Sequence, residues 1–380
     1  MPHNFALNFV VTMHYKAAVL YEPGTPLVIE RAEAAPLGPS DVLVRVRAAG
    51  LCHTDLEVID GALRYPMPIV LGHEAAGVIE DVGSAVAKSR KGQSVILSLN
   101  PYCGHCFYCD RNLPILCEEY LAKGPHALAF DGQSKARQSN GQNLRQLLFI
   151  GAFGEYCIVQ DQQAIAVSPD MPHDRACLIG CAVMTGVGAA LNVAHIKRTD
   201  AVMVVGCGAV GLAAVQGARL AGARMIIAVD VDDRKLALAC KLGATTSVNV
   251  HNQDAVAIGK DATGGRGVDC VLEAAGKAAA FKLSLEAVRP GGEVIWLGKV
   301  DVEKEIAFRW GSMMQERHIR RSSYGDARPA RDFPLLVESY LNGNLMLDEL
   351  ITQRIGLNEI NDGFSAMRSG ASIRSVIVFN

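Results

Sequence analysis

Apolar and polar residues alternate early in this chain and segregate into runs later, and that change of period divides it. Residues 16–32 give two short strands around the turn Glu22, Pro23, Gly24, and 41–47 (DVLVRVR) keeps a period of two, as a half-solvated antiparallel strand should. Strand character returns at 155–159, and 175–194 is a helix of small apolar residues. Residues 202–205 (VMVV) and 225–229 (MIIAV) are wholly apolar, the pattern of strands covered on both faces of a parallel sheet. Four further strands are predicted at 247–250, 269–273, 293–297 and 319–323, most of them separated by helical stretches, which makes six strands and a doubly wound sheet. A helix at 332–341 and strands at 351–355 and 375–379 then return to the first domain. Residues 118–150 are polar and Gly-rich and read as a long loop. The fold class is therefore α/β, a small β-rich domain interrupted by a doubly wound one.

Residues 201–230 carry the clearest chemistry. Between the two apolar strands lies GCGAVG, with Gly206, Gly208 and Gly211 spaced for a tight turn, a close backbone approach to a pyrophosphate and close helix–strand packing. The following helix turns its positive N-terminal end toward the phosphates. Asp230 ends the second strand 19 residues after Gly211, where an acid accepts hydrogen bonds from both hydroxyls of an adenosine ribose. That favours NAD over NADP, whose 2′-phosphate would meet a like charge. Glycines cluster in any tight turn, and here the flanking strands, helix and acid supply the specificity.

At 380 residues the chain exceeds one ordinary core, so two domains are expected. Its 37 basic residues balance 39 acidic ones with no basic block, which favours neither nucleic acid nor an anionic membrane as partner. No apolar run is read as membrane-spanning, residues 5–13 are too short for a secretory signal, and a cytoplasmic protein is expected. Residues 1–12 read as an extension ahead of the first strand.

Eleven cysteines in a reducing compartment are metal ligands or core thiols rather than disulfides, and spacing separates the two. Cys103, Cys106, Cys109 and Cys117 form C-x2-C-x2-C-x7-C, with Gly104 to ease the loop. Four thiolates that close make a saturated tetrahedral zinc site, a structural one. An iron–sulfur cluster or a redox dithiol would use the same residue type, yet neither accounts for the rest of the chain. Cys52, in GLCHTD, and His73, in GHE, are also ligand types that zinc prefers. Alone, each is equally well a core thiol and a hydrogen-bonded structural histidine.

Taken together, GLCHTD at 50–55, GHEAAGVIEDVG at 72–83, the four-cysteine lobe, GCGAVG and the closing RSGASIRSVI at 368–377 resemble the zinc-dependent alcohol dehydrogenases of the medium-chain dehydrogenase/reductase family over nearly the whole chain. The resemblance implies a GroES-like catalytic domain (1–182 and 323–380) carrying two zincs, interrupted by a Rossmann NAD-binding domain (183–322). Cys52, His73 and Cys181 would hold the catalytic zinc, with Glu74 as the acid behind it and Asp55 orienting His73. Thr54 matches the hydroxyl that accepts the substrate proton. His53 and Arg374 would contact the coenzyme pyrophosphate, and Lys235 the ribose beside Asp230. Leu63, Leu99, Leu121, Ala122 and Phe153 fall where the family lines its alcohol channel. The segment 118–150 implies a homodimer joined through a strand near 306–308.

Three positions depart from the pattern. Glu57 stands where some members end a proton relay with histidine. Lys299 follows Gly298 near the nicotinamide end and reads as a solvated lysine, and Gln93 replaces an Asp in a GDxV turn. The implied reaction is NAD-dependent interconversion of primary medium-chain, allylic or aromatic alcohols and aldehydes. The alternatives are a glutathione-dependent formaldehyde dehydrogenase, which would carry an arginine at the place of Leu121, and a non-catalytic dinucleotide-binding relative, against which the retained ligands and Thr54 argue. A polyol dehydrogenase would have glutamate at the place of Cys181.

Overall fold

The structure, a computed structural model, describes residues 13–301 and 303–380. The extension read at 1–12 lies outside the described residues. In chain order the first domain contains β1 (His14–Leu20), β2 (Val28–Ala34), β3 (Asp41–Gly50), α1 (His53–Ile59), β4 (Ile69–Val70), β5 (Glu74–Val82), β6 (Ser94–Leu97), α2 (Glu118–Lys123), β7 (Ala136–Gln138), β8 (Asn143–Gln146), β9 (Tyr156–Gln160) and β10 (Ala164–Ala166). Strands β1, β2, β7, β8 and β4 close a barrel beside a second sheet, in which β3 is central.

The strand expected at 41–47 is antiparallel, and its half-solvated face narrows to Arg45 and Arg47, which alternate with buried Val44, Val46 and Ala48. One edge of β3 pairs with β5 and the other with β9 and then with β18 (Ser375–Val378), so both edges are occupied. The polar segment 118–150 is no loop either. Its β7 and β8 complete the barrel, β7 pairing with β2 and β8 with β4, and α2 precedes them. The Gln93 side chain accepts from the Arg90 amide at 2.7 Å, so it still ties the turn.

The crossover into the second domain is the helical span His173–Val193, with α3 (His173–Leu178) and α4 (Met184–Gly188) separated by a π-helical turn at Ile179–Val183. By length and composition this span is apolar enough to cross a membrane, which corrects the reading that no such run exists. It is a core helix all the same. About its middle, a Cβ on Gly186 would come within 2.3 Å of the Val210 carbonyl, so the crossover lies directly on the first helix of the next domain.

That domain is built from β11 (Ala201–Val205), α5 (Ala209–Leu220), β12 (Met225–Asp230), α6 (Asp233–Leu242), β13 (Thr246–Asn249), α7 (Ala255–Asp261), β14 (Val268–Glu273), α8 (Ala278–Ala287), β15 (Val288–Trp296) and β16 (His318–Arg321). All six strands are parallel in the order β13-β12-β11-β14-β15-β16, a doubly wound sheet whose order reverses at β11. Every residue of β11 is buried, as its apolar run requires with helices on both faces. No strand forms at 306–308, which corrects the expectation of one there. The chain then returns through α9 (Pro329–Leu341), β17 (Gln353–Ile355), α10 (Ile360–Arg368) and β18, whose pairing with β3 rejoins the first sheet.

Candidate functional site

Three elements bring Cys52, His73 and Cys181 together. Cys52 is the N-cap of α1, His73 directly precedes β5, and Cys181 sits in the π-helical turn of the crossover, a helix irregularity often found at functional sites. Their ligand atoms lie within 4.8 Å of one another, and the two sulfurs are 4.0 Å apart. A tetrahedral ion with Zn–S bonds of about 2.3 Å separates its sulfurs by about 3.8 Å. The donor set therefore fits zinc.

Asp55 and Glu74 position these ligands. The buried Asp55 carboxylate accepts from the Cys52 amide at 3.1 Å and the Gly72 amide at 2.9 Å, and it lies 3.2 Å from His73 Nδ1. With Nδ1 so engaged, His73 Nε2 is buried without any partner, the orphaned atom that a metal would satisfy. Burial opposes a charge on this ring, but the carboxylate of Asp55 and the Cys52 sulfur outweigh it and raise the metal-free His73 pKa to about 10. Zinc must displace that proton, so its affinity falls with falling pH. Glu74 accepts from the Ala182 amide at 3.1 Å, fixing the residue after Cys181. Burial pushes the Glu74 pKa up to about 7. Glu74, read with the catalytic zinc, is not among the converging ligands, and its Oε1 lies 3.3 Å from Arg374 Nε.

The second cluster holds Cys103, Cys106, Cys109 and Cys117 within 4.8 Å of one another, with the Cys103 and Cys109 sulfurs 3.9 Å apart. Amides also aim at its sulfurs, Cys103 N at Cys117 Sγ (3.3 Å) and Glu118 N at Cys106 Sγ (3.5 Å), which is how backbone dipoles stabilise thiolate charge. Four sulfurs saturate a tetrahedral ion and leave no position for substrate. The other five cysteines are free thiols, Cys157, Cys177, Cys207 and Cys270 buried and Cys240 exposed.

At the sheet's reversal point Gly206 adopts φ +92°, and a Cβ on Gly211 would fall 1.7 Å from the Gly206 carbonyl, so helix and strand touch there. Nothing lies within 4 Å of where a Gly208 Cβ would be, leaving room for a pyrophosphate. One Asp230 oxygen accepts from the Cys207 amide at 2.6 Å and the other from Val231 and Asp232, which aims the carboxylate at the turn. Lys235 is half-buried on α6 and His53 is exposed on α1. Arg374, read as a pyrophosphate contact, is buried, with Nε 3.3 Å from Glu74 Oε1 and a guanidinium N–H donated to the Leu51 carbonyl.

The residues read as channel lining divide. Leu63 and Leu99 pack on the core, Leu121 and Ala122 are exposed on α2, and Phe153 is fully buried with its ring 6.0 Å from Phe364. Thr54 and Glu57 both lie on α1 and are half-buried. Lys299 is exposed, as the sequence reading has it, but its ammonium also bonds both of them. The only sequence signal for this was its place at the carboxyl end of a parallel strand, where ligands bind in such sheets.

Residues 38–170 match the alcohol dehydrogenase GroES-like domain, and residues 209–341 match the zinc-binding dehydrogenase domain. An S-(hydroxymethyl)glutathione dehydrogenase of Komagataella pastoris is 37% identical over 371 residues, spanning 96% of this chain and 97% of the relative. Among solved structures, an alcohol dehydrogenase zinc-binding domain protein of Burkholderia ambifaria superposes with TM-score 0.93 at 34% identity, covering 97% of this chain and 100% of that one. Benzyl alcohol dehydrogenase of Acinetobacter calcoaceticus gives TM-score 0.91 at 30% identity over 97% and 100% of the two chains. With both of its domains matched and its relatives aligned nearly end to end, the chain belongs to the zinc-dependent alcohol dehydrogenases of the medium-chain dehydrogenase/reductase family.

Proposed function

We propose that this dehydrogenase oxidises medium-chain, allylic or aromatic primary alcohols with NAD, and reduces the corresponding aldehydes, without glutathione. The observation that carries the reading is Leu121. This side chain, four residues beyond the last lobe cysteine, is 53% exposed where glutathione-dependent members place an arginine. The nearest cation on α2, Lys123, is engaged by Glu119 at 2.5 Å and lies 4.6 Å from the Phe130 ring centre. An apolar surface rewards buried hydrocarbon at about 25 cal/mol per Å² and offers a carboxylate no partner. The likeness to benzyl alcohol dehydrogenase supports the same substrate class.

In this reading zinc, when bound, polarises the alcohol oxygen as a Lewis acid. The chain's own residues do the rest. Asp55 and Glu74 hold the ligand loops, Thr54 takes the alcohol proton, the glycine turn seats the pyrophosphate and Asp230 selects NAD. A second reading, glutathione-dependent formaldehyde oxidation, is favoured by the curated relatives, which carry that name.

We also infer a homodimer. Phe308, Trp310 and Met314 are exposed in the stretch leading to β16, the edge strand of the parallel sheet, where a second copy would cover them. A panel of ethanol, hexanol, benzyl alcohol and cinnamyl alcohol with NAD or NADP, followed by absorbance of the reduced coenzyme, tests the function. The larger alcohols with NAD should be turned over most efficiently. Equal efficiency with ethanol, or with NADP, would contradict the reading.

A further inference from the structure

Lys299 begins on the doubly wound domain, just past the end of β15, and its side chain crosses to α1 of the catalytic domain. There Nζ donates to Thr54 Oγ1 at 2.8 Å and to Glu57 Oε2 at 3.1 Å. The base of the side chain is fixed, because a Cβ on Gly276 would sit 2.4 Å from the Lys299 carbonyl oxygen and one on Gly298 would sit 2.3 Å from Gly276 N. The Lys299 side chain is 42% exposed and that of Glu57 25%, so the pair joins the half-buried Thr54 hydroxyl to bulk water. The other titratable groups around it are Glu273, which accepts from the Gly276 amide beneath this turn, and Tyr65, which feels the charge of Glu57.

A surface lysine forming one ion pair carries little meaning. This one also contacts the hydroxyl that the dehydrogenase reading makes the proton acceptor, and its carboxylate partner occupies the place of a relay histidine. We propose that Lys299, held on Thr54 by Glu57, moves the substrate proton between the site and solvent. The proposal rests on the dehydrogenase reading above.

During oxidation the Lys299 ammonium first gives one N–H proton to water; the alcohol O–H bond then breaks and its proton goes to Thr54 Oγ1, while the Thr54 hydroxyl proton passes to the lone pair so opened on Lys299 Nζ. With coenzyme bound, the electron pair of the carbinol C–H bond would leave as hydride to the nicotinamide, and Lys299 ends as the ammonium it began, one proton having passed to water. During aldehyde reduction the ammonium donates to Thr54, whose hydroxyl proton goes to the substrate oxygen. An ammonium has three N–H groups, so with Thr54 and Glu57 engaged one remains for water.

Lys299→Met and Lys299→Arg test this with benzyl alcohol and NAD, with and without methylamine, alongside reduced-coenzyme affinity by fluorescence. Both variants should lose about 100-fold in kcat, the usual scale for a lost proton-transfer group, with alcohol KM and coenzyme affinity within about threefold. Arginine keeps the positive charge and the reach to Glu57 but does not deprotonate, so it would rescue a merely structural bridge and not a relay. Methylamine should restore Lys299→Met in proportion to its free-base concentration and leave the unmodified enzyme unchanged. Wild-type kcat in either variant, or no restoration by the amine, would overturn the proposal. Coenzyme binding reports whether each variant is folded, and Lys299→Arg decides alone if Lys299→Met is not. An unmodified enzyme inactive on every alcohol would instead refute the underlying reading, and the relay with it.

Discussion

At the scale of single residues, two buried carboxylates serve opposite ends. Asp55 gathers three donors, two of them from loops carrying metal ligands, and offers its charge where hydrogen bonds satisfy it. Glu273, at the end of β14, is also fully buried, yet only one of its oxygens is served by side-chain hydrogen bonds, from the Ala275 and Gly276 amides, and Oε2 has no partner. Burial therefore outweighs those bonds and pushes the Glu273 pKa up to about 7. Between the ordinary carboxylate range and pH 7 the folded chain holds a proton that the unfolded chain releases, so this group's contribution to stability is full at low pH and falls as pH rises. Glu273→Gln should remove that part of the slope and stabilise the protein at pH 8 relative to pH 5 by about 1–3 kcal/mol compared with the parent. Urea denaturation at the two pH values measures it, and an unchanged pH slope would contradict the assignment.

Residue identity was legible in the sequence where spacing is local and obscure where it is not. The four lobe cysteines declare themselves within fifteen residues of chain. Cys52 and Cys181 are 129 residues apart, and no period or spacing joins them; only the family resemblance did. Lys299 and Thr54 meet across 245 residues, and lysine is an ordinary surface residue, so its role needed the coordinates of both domains.

At the scale of elements, the long strands and helices of the doubly wound domain follow from their periods because helices on both faces force continuous apolar runs. Strands β7 and β8 span only three and four residues, too few to show a period, and they exist because the barrel supplies partners on each side. The half-polar pattern of β3 marks its half-buried positions, Arg45 and Arg47, but not the three strands that pair along its edges. The two metal clusters differ in the same way. The lobe at 103–117 forms almost no regular structure of its own, so its ion substitutes for a core, whereas Cys181 lies in a helix that packing already holds. Cys109→Ser should therefore destabilise the fold by about 4 kcal/mol or more, the scale of a lost metal site. Cys181→Ser should leave the thermal midpoint within a few degrees and abolish turnover. Thermal unfolding and metal content, measured together, check both: about two zincs per parent chain, with one lost in each variant.

At the scale of the whole molecule, Lys299 links the two domains, reaching from the turn after β15 to Thr54 and Glu57 on α1. The exposed Trp310 region beside edge strand β16 predicts a twofold assembly. Light scattering should give twice the chain mass of 40.5 kDa, and a monomer or tetramer would contradict it.

On the proposed function, the site serves a primary alcohol with an apolar body and not a glutathione adduct. Its most direct test is kcat/KM with NAD for cinnamyl alcohol against S-(hydroxymethyl)glutathione on the same zinc-loaded preparation. A missing cation for the glutathione carboxylate is worth on the order of 2 kcal/mol, so cinnamyl alcohol should lead by at least about tenfold. An adduct efficiency equal to or above that of cinnamyl alcohol would place the chain with its glutathione-dependent relatives and refute the claim.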